Sequence, residues 1–274
     1  MPELPEVETI CRHLRDGNSA NPSILGFIIK NAQVLWPRSL ATPSVEEFSS
    51  RLPGQAINQI SRRGKFSILT LTTDTILIHL RMSGDLLVEA VDAAPAVHTR
   101  ILVNFRNGMR LAFNDTRKFG RMWLVNEPEL VTGDLGPEPL APNFTADDLF
   151  KRLKATRRQL KPLLLDQTFL AGLGNIYVDE SLNLAHLHPL ENSQHINEQQ
   201  TLCLWNSIRQ VLNAAILRNG ASIDWVYRGG DFQNYFRAYD REGKACLDCG
   251  APIQRIKVGQ RGTHFCPQCQ QLSK

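Results

Sequence analysis

The sequence predicts an α+β protein: a β-rich N-terminal part, a helical part, and a small C-terminal segment closed by a metal. Three observations carry this. From about residue 24 to 126, short apolar and β-branched runs alternate with turn signals. Beyond the proline- and glycine-rich stretch GDLGPEPLAPNFTADD, residues 133–148, the pattern turns helical. The chain then closes on CLDCGAPIQRIKVGQRGTHFCPQC, in which Cys246, Cys249, Cys266 and Cys269 make two Cys-x-x-Cys knuckles.

Taken in order, Pro5 to Leu14 reads as a short helix, because proline is tolerated in a first helical turn. KFSILTL and TILIHLRM, separated by Thr72-Thr73-Asp74, read as a hairpin. ILVNFR and MRLAFN flank Asn107-Gly108, the strongest short hairpin signal. Residues 133–144 read as a linker, since the first seven carry four prolines or glycines and no periodicity follows. Thr145 with Asp148 resembles a helix cap followed by a favourable first-turn acid. In NEQQTLCLWNSIRQVLNAAILRNG, Asn197 caps, Gln200 follows three residues on, and Gly220 stops the helix. Leu204, Ile208, Val211, Ala215 and either Ile216 or Leu217 fall near one face. These signals place the boundaries at 1–132, 133–144, 145–238 and 239–274.

The chain has 274 residues, 42% apolar and 21% charged, the balance of a globular protein with room for two domains. No apolar run reaches 18 residues, so no membrane span is expected. Glu3 and Glu6 stand where a secretory leader carries lysine, so no leader is expected either. The net charge of +4 is modest, but its distribution is informative. Arg51, Arg62, Arg63 and Lys65 are the only charges between Glu47 and Asp74. KRLKATRRQLK, residues 151–161, holds six basic residues and no acid. After Asp248 there are Arg255, Lys257, Arg261 and Lys274 but no acid. Three such segments point to a polyanion surface.

Each knuckle lets two thiolates approach one tetrahedral ion, and four thiolates close its shell, so the expected cofactor is one structural Zn2+. Disulfides or redox dithiols are the alternatives; a reducing compartment argues against disulfides. Cys11 and Cys203 lack such partners and read as core thiols. The opening MPELPEVETI has two readings. It is a frayed, proline-rich tail, or Met1 is removed and Pro2 becomes a free secondary amine.

Seven motifs bear on that choice together. MPELPEVET, RRGKF (62–66), HLRMSG (79–84), NDTRKFG (114–120), LGPEPL (135–140), GLGNIYVDE (172–180) and the four-cysteine knuckles resemble, in the same order and over nearly the whole chain, bacterial formamidopyrimidine-DNA glycosylases. The resemblance implies an N-terminal β-sandwich with flanking helices, a helix-two-turn-helix module and a β-hairpin zinc finger. It implies a bifunctional enzyme that excises oxidised purines such as 8-oxoguanine, then nicks the strand by β- and δ-elimination. Pro2 is then the nucleophile, Glu3 its acid/base partner, Lys65 the lysine near the reacting base and sugar, and Arg261 the arginine of δ-elimination. His98, Arg117, Arg157, Lys161 and Asn175 are the implied DNA anchors, with His79 a weaker one. Met82 and Phe119 match the apolar side chains that fill the space of a flipped nucleotide, and Arg117 would face the orphaned cytosine. The implied partner is damaged double-stranded DNA, with no membrane; the implied form is a monomer in the bacterial cytoplasm.

The chain departs from the family pattern in three places. Residues 15–26 are longer than usual, Lys118 stands where a second arginine is common, and Asp240 replaces a glycine after Tyr239. The last lies in the lesion-capping loop, 218–243, which keeps its glycine-rich character. Rival readings are endonuclease VIII, which prefers oxidised pyrimidines, a non-catalytic zinc-dependent DNA-binding module, and a tautomerase with an N-terminal proline base. Glu3-Leu4-Pro5 and Arg117-Lys118-Phe119 favour the purine enzyme over the first. The presence of Pro2, Glu3 and Lys65 disfavours the second, and chain length with the zinc hairpin disfavours the third.

Overall fold

The computed structural model describes residues 1–19, 21–222 and 229–273. Its elements, in chain order, are α1 Leu4–Asp16, β1 Ile29–Val34, β2 Leu40–Thr42, α2 Val45–Arg51, β3 Ile57–Arg63, β4 Phe66–Leu71, β5 Thr75–His79, β6 Gly84–Ala90, β7 Thr99–Phe105, β8 Met109–Asp115, β9 Arg121–Val125, α3 Glu129–Thr132, α4 Ala146–Lys154, α5 Leu160–Leu165, α6 Asn175–Leu184, α7 Glu198–Leu217, β10 Gln254–Val258 and β11 Arg261–Phe265. The expected α+β class is what these elements make. They fall into two units, one built on Met1–Gly133, the other on Asp134–Ala221 with residues 230–273. No helix among the described residues is long and apolar enough to cross a membrane.

The first unit is a sandwich of a four-stranded sheet, β1-β7-β8-β6, and a five-stranded sheet, β2-β9-β5-β4-β3. Their inner faces share one core, to which Ile29, Ile60, Leu69, Ile78, Val88, Val103, Phe113 and Leu124 contribute. Both expected hairpins form: β4 pairs antiparallel with β5, and β7 with β8. The second turns on Gly108 at φ 82°, the left-handed conformation that the Asn-Gly signal anticipates. Helix α1 inserts Val7, Ile10, Cys11 and Leu14 into the same core. It runs opposite to β3: Arg15 reaches Ile60 O at 3.5 Å, the Cys11 thiol donates to Ser61 O at 3.3 Å, and Glu8 pairs with Arg62 at 3.3 Å. Cys11 is thus a core thiol, and burial pushes its pKa up to about 11. Cys203, expected in a core, is exposed on α7 instead.

In the second unit α4 starts at a capping box, with Thr145 Oγ1 accepting from Asp148 N and Asp148 Oδ2 from Thr145 N. Helix α7 starts at the same device, built from Asn197 and Gln200. Leu204, Ile208, Val211, Ala215 and Ile216 are its buried face; Leu217 is 78% exposed, which resolves the ambiguity at its end. Residues 135–144 contain no helix or strand, yet they are packed. Arg209 donates to Pro139 O at 2.9 Å and Trp205 to Phe144 O at 3.1 Å. A side chain at Gly136 would meet Thr168 O at 2.5 Å, so the strap needs glycine there. Strands β10 and β11 form a two-stranded hairpin.

Candidate functional site

At the N-terminus Pro2 is buried and Glu3 is the residue that caps α1. Glu6 Oε2 accepts from Glu3 N at 2.8 Å, so Glu6 fixes the first turn and with it the direction of Glu3. The contacts of α1 descend from Arg15 to Glu8 as those of β3 ascend from Ile60 to Arg62. By that antiparallel course the start of α1 lies toward the end of β3, where Gly64 and Lys65 turn the chain into β4. Gly64 adopts φ 56° in that turn, and Lys65 is only 6% exposed. Glu3 and Glu6 are each 3% exposed, so three ionisable side chains are withdrawn from water at one edge of the sandwich.

Register places the other candidates of this unit at the same edge. Phe66 pairs with His79, and His79 with Arg121, across the five-stranded sheet. The His79 ring packs edge-on against Phe66, and its Nδ1 accepts from Arg81 N at 3.0 Å. Burial, then the Arg81 and Lys65 cations, push its pKa down to about 3. His79 is therefore a neutral ring whose Nε2 carries the proton, a donor rather than a cation. The turn after β5 leaves Met82 39% exposed, and the loop between β8 and β9 leaves Phe119 49% exposed. Arg117 and His98 are exposed as well, and the Arg117 guanidinium lies 5.1 Å from the centre of the Phe119 ring. Apolar side chains held out on loops beside a guanidinium suit insertion into a stack of flat rings. Lys118 does not extend outward: its ammonium lies 4.1 Å over the Trp36 ring.

In the second unit the basic run 151–161 is largely spoken for. Lys151 pairs with Asp147, Arg158 with Asp166, Arg152 with the Phe169 and Thr168 carbonyls, and Lys154 with Gln194 O. Arg157 is exposed and free of ion pairs among the described residues, as a phosphate anchor needs. Lys161, expected at the DNA backbone, is corrected: it is fully buried. Its Nζ lies 2.5 Å from Asp179 Oδ1 and donates to Gly262 O at 3.0 Å. A buried ammonium cannot remain unpaired, and the acid of α6 claims it. Asn175, at the start of α6, donates from Nδ2 to the same Gly262 carbonyl at 3.1 Å, while its buried Oδ1 has no partner among the described residues.

Arg261 is exposed at the start of β11, just past a two-residue turn in which Gly259 and Gln260 both take positive φ, 53° and 64°. The residue after it is held by Lys161 and Asn175, and His264 N by Asp179 at 2.9 Å. Glu180, next along α6, accepts from the backbone N–H groups of Arg237, Ala238 and Tyr239 at 2.7, 2.9 and 2.7 Å. Of the glycine-rich loop 218–243, expected to cap the lesion, residues 223–228 lie outside the described residues; Asp240 takes the φ of 55° that a glycine would adopt.

Behind the hairpin the four knuckle sulfurs lie within 4.8 Å of one another. Cys246 and Cys269 Sγ are 3.9 Å apart, and Cys249 and Cys266 3.5 Å. A Zn–S bond of about 2.3 Å sets tetrahedral edges of about 3.8 Å, whereas a disulfide needs about 2.05 Å. The donor set fits one structural Zn2+.

Sequence reasoning passed over Asp115, Asp179 and Glu180, although all three stand inside motifs it singled out. Asp115 is 0% exposed, Asp179 2% and Glu180 1%. The available signal was an acid bounded by apolar or turn residues, where only a buried partner explains it.

Three family models match in chain order: a formamidopyrimidine-DNA glycosylase N-terminal domain over residues 1–122, a formamidopyrimidine-DNA glycosylase H2TH domain over 135–226, and a zinc finger found in FPG and IleRS over 243–272. A formamidopyrimidine-DNA glycosylase of Chloroflexus aurantiacus is 44% identical over 278 residues, 98% of each chain. One of Enterococcus faecalis is 40% identical over 280 residues, 99% of this chain and 98% of the other. Among solved structures, MutM in complex with DNA containing carbocyclic 8-oxo-G superposes with a TM-score of 0.90 at 37% identity, covering 98% of this chain and 100% of that one. The wild-type Lactococcus lactis Fpg (MutM) with DNA containing N7-benzyl-Fapy-dG gives 0.91 at 38%, with the same coverage.

Proposed function

Because the chain belongs to the formamidopyrimidine-DNA glycosylase family, we propose that it is a base-excision repair enzyme that removes oxidised purines from duplex DNA and then cuts the strand at the abasic site. What supports this for these residues is the burial of Pro2, of the capping Glu3 and of Lys65 in the unit whose loops leave Met82, Arg117 and Phe119 exposed. Acid/base groups and apolar wedges are what a base-flipping reaction needs side by side.

The chemistry follows from the amine. With Met1 removed, Pro2 is a secondary amine that attacks the deoxyribose C1′ as the bond to the base breaks. An N-terminal amine has an unperturbed pKa of about 7.7–8.0, against about 10.4 for lysine, so more of it is neutral near pH 7. A secondary amine gives only a charged iminium, which draws electrons from C2′ and acidifies its proton. Glu3, fixed by the cap, is the group to move protons at the sugar, and Lys65 supports the departing base. Loss of the phosphate on one side and then the other completes the cut, with Arg261 at the flanking phosphates. Met82 and Phe119 fill the vacated space, Arg117 donates to the widowed cytosine, and Arg157, Asn175, His98 and neutral His79 hold the backbone. The protein acts as a monomer, in the bacterial cytoplasm.

The test is borohydride trapping on a duplex carrying 8-oxoguanine opposite cytosine, with the intact mass of the protein measured beside it. A covalent adduct is expected only from molecules lacking Met1. Pro2→Gly is expected to bind the duplex and lose most trapping, since the amine changes class and the phosphate contacts stay. Unchanged trapping by Pro2→Gly would count against Pro2 as the nucleophile.

A further inference from the structure

We propose that Asp115 is a positioning residue that couples the Met82 turn to the Arg117–Phe119 loop, a role that rests on reading those three side chains as the DNA wedge. Asp115 ends β8 with no exposed surface. Its Oδ1 accepts from the Ser83 hydroxyl and, at 3.1 Å, from Arg117 N. Its Oδ2 accepts from Gly120 N at 2.6 Å. Ser83 Oγ also accepts from Arg117 N, at 3.0 Å. Met82 is bonded to Ser83 and Phe119 to Gly120, while Arg117 is bound through its own amide. Each wedge side chain therefore hangs within one residue of a group that touches this carboxylate.

The rest of the loop is gripped from the opposite polarity. Arg121 Nη1 donates toward the carbonyls of Lys118, Phe119 and Gly120 at 3.4, 3.4 and 3.0 Å. Lys118, at φ 61°, lies over Trp36 and ties the loop to the strand-β2 side of the sandwich. A Cβ at Gly120 would fall 2.5 Å from the Phe113 ring and 3.1 Å from Asp115 Oδ2, so the closure requires glycine. The backbone of Asp115 extends the same control to a DNA anchor. Its N–H donates to His98 O at 2.9 Å, and Arg100 Nε donates to its carbonyl at 2.7 Å.

Saturation of this carboxylate has a second effect. A carboxylate with open oxygens attracts a neighbouring guanidinium into a charge-assisted hydrogen bond. Here the oxygens are occupied by a hydroxyl and two backbone N–H groups, and the Arg117 guanidinium stays exposed beside Phe119. Asp115 thereby keeps Arg117 available for the opposite base.

The test is Asp115→Asn. An amide has one acceptor oxygen, so its NH2 must face either Gly120 N–H or Arg117 N–H. Excision of 8-oxoguanine opposite cytosine is expected to fall about tenfold and the preference for cytosine over adenine to collapse, the scale of a lost hydrogen bond to a charged group. Trapping on a preformed abasic site in a single strand, where no space needs filling, is expected to stay within about twofold, because the reacting groups are untouched. Should the variant not fold, Ser83→Ala removes one donor without burying an amide, and the same pattern is expected at about threefold. A parallel loss on all three substrates overturns the proposal. So does a cytosine preference that survives Asp115→Asn while Arg117→Ala abolishes it; that result leaves the wedge reading standing. A preference that survives Arg117→Ala overturns the wedge reading and this proposal with it.

Discussion

The loop of Arg117 to Phe119 and the hairpin of Arg261 are both held by a buried aspartate, and the two aspartates are satisfied in different ways. Among the described residues the Asp115 carboxylate takes neutral donors, a serine hydroxyl and two backbone N–H groups. Asp179 takes the Lys161 ammonium and the His264 N–H; four thiolates close the same segment, and Glu180 holds the chain that leads into it at residues 237–239. An ion pair this deep forgoes much hydration, so it is weak evidence of net stability, but losing one partner strands a charge. A carboxylate bonded to backbone amides has no such partner to lose; its failure is geometric. The hairpin is thus built to stand or fall as a whole, and the wedge loop to be in or out of register.

Removing the metal should break the contrast most. Chelation, or Cys266→Ser, should unfold the hairpin and abolish duplex binding, since structural zinc supplies about 10–16 kcal/mol in small fingers. Metal content and a DNA titration check it, and normal lesion binding by the stripped protein would refute it. Lys161→Met comes next, with a loss of about 3–5 kcal/mol in denaturant melts as Asp179 is stranded. The double variant Lys161→Met/Asp179→Asn should recover most of that; no recovery would mean the pair is not what holds the hairpin.

The sandwich edge has its own titration. Native His79 stays neutral to about pH 3, whereas the unfolded ring binds a proton near 6.5. Its contribution is complete above 6.5 and is lost as the pH falls toward 3. At pH 5 the loss is on the order of 2 kcal/mol. Denaturant midpoints of wild type and His79→Asn at pH 7 and pH 5 decide this, with a shallower drop expected in the variant and equal drops arguing against it.

Two arginines sharpen the comparison on DNA. Arg117→Ala should cost about 1–3 kcal/mol of discrimination between cytosine and adenine opposite the lesion. Arg157→Ala should weaken all duplexes alike and lower the salt slope by about 1. Excision across a salt series, with each opposite base, separates them; a loss from Arg117→Ala that is equal for every base would make it one more phosphate contact. The smallest change is Asp240→Gly, which should gain about 0.5–1 kcal/mol by relieving a left-handed non-glycine backbone. A loss in the same melt would show that the Asp240 carboxylate makes a needed contact.

What the sequence revealed tracks how local each signal is. The Asn107-Gly108 hairpin, the Asn197 cap and the paired knuckles are written within a few residues, and each forms where the letters place it. The face of α7 was legible up to its last turn, where Ile216 and Leu217 compete and only packing decides. Lys161 misled because a basic run looks the same whether its members meet phosphate or a buried acid 18 residues away. Asp115 was invisible for a related reason: Ser83 is 32 residues away and is brought to it by the pairing of Gly84 with Asp115, and the turn that returns Gly120 to the carboxylate has no spacing signature. The overextended loop at 15–26 closes on itself, with Ser23 Oγ donating to Arg15 O at 2.5 Å and Ile24 N to Leu14 O at 2.9 Å.

The cap that binds Glu3 to Glu6 has a consequence for how the protein comes of age. That hydrogen bond fixes the first turn of α1 directly behind Pro2. On the proposed amine chemistry, a molecule that keeps Met1 carries an amide in place of the attacking amine, while its wedge, anchors and hairpin are complete. Such a molecule would be a decoy, seated on lesions it cannot process and shielding them from its finished siblings. Trimming one residue is therefore an arming step, and a purification tag ahead of Pro2 would hold every copy in the unarmed state.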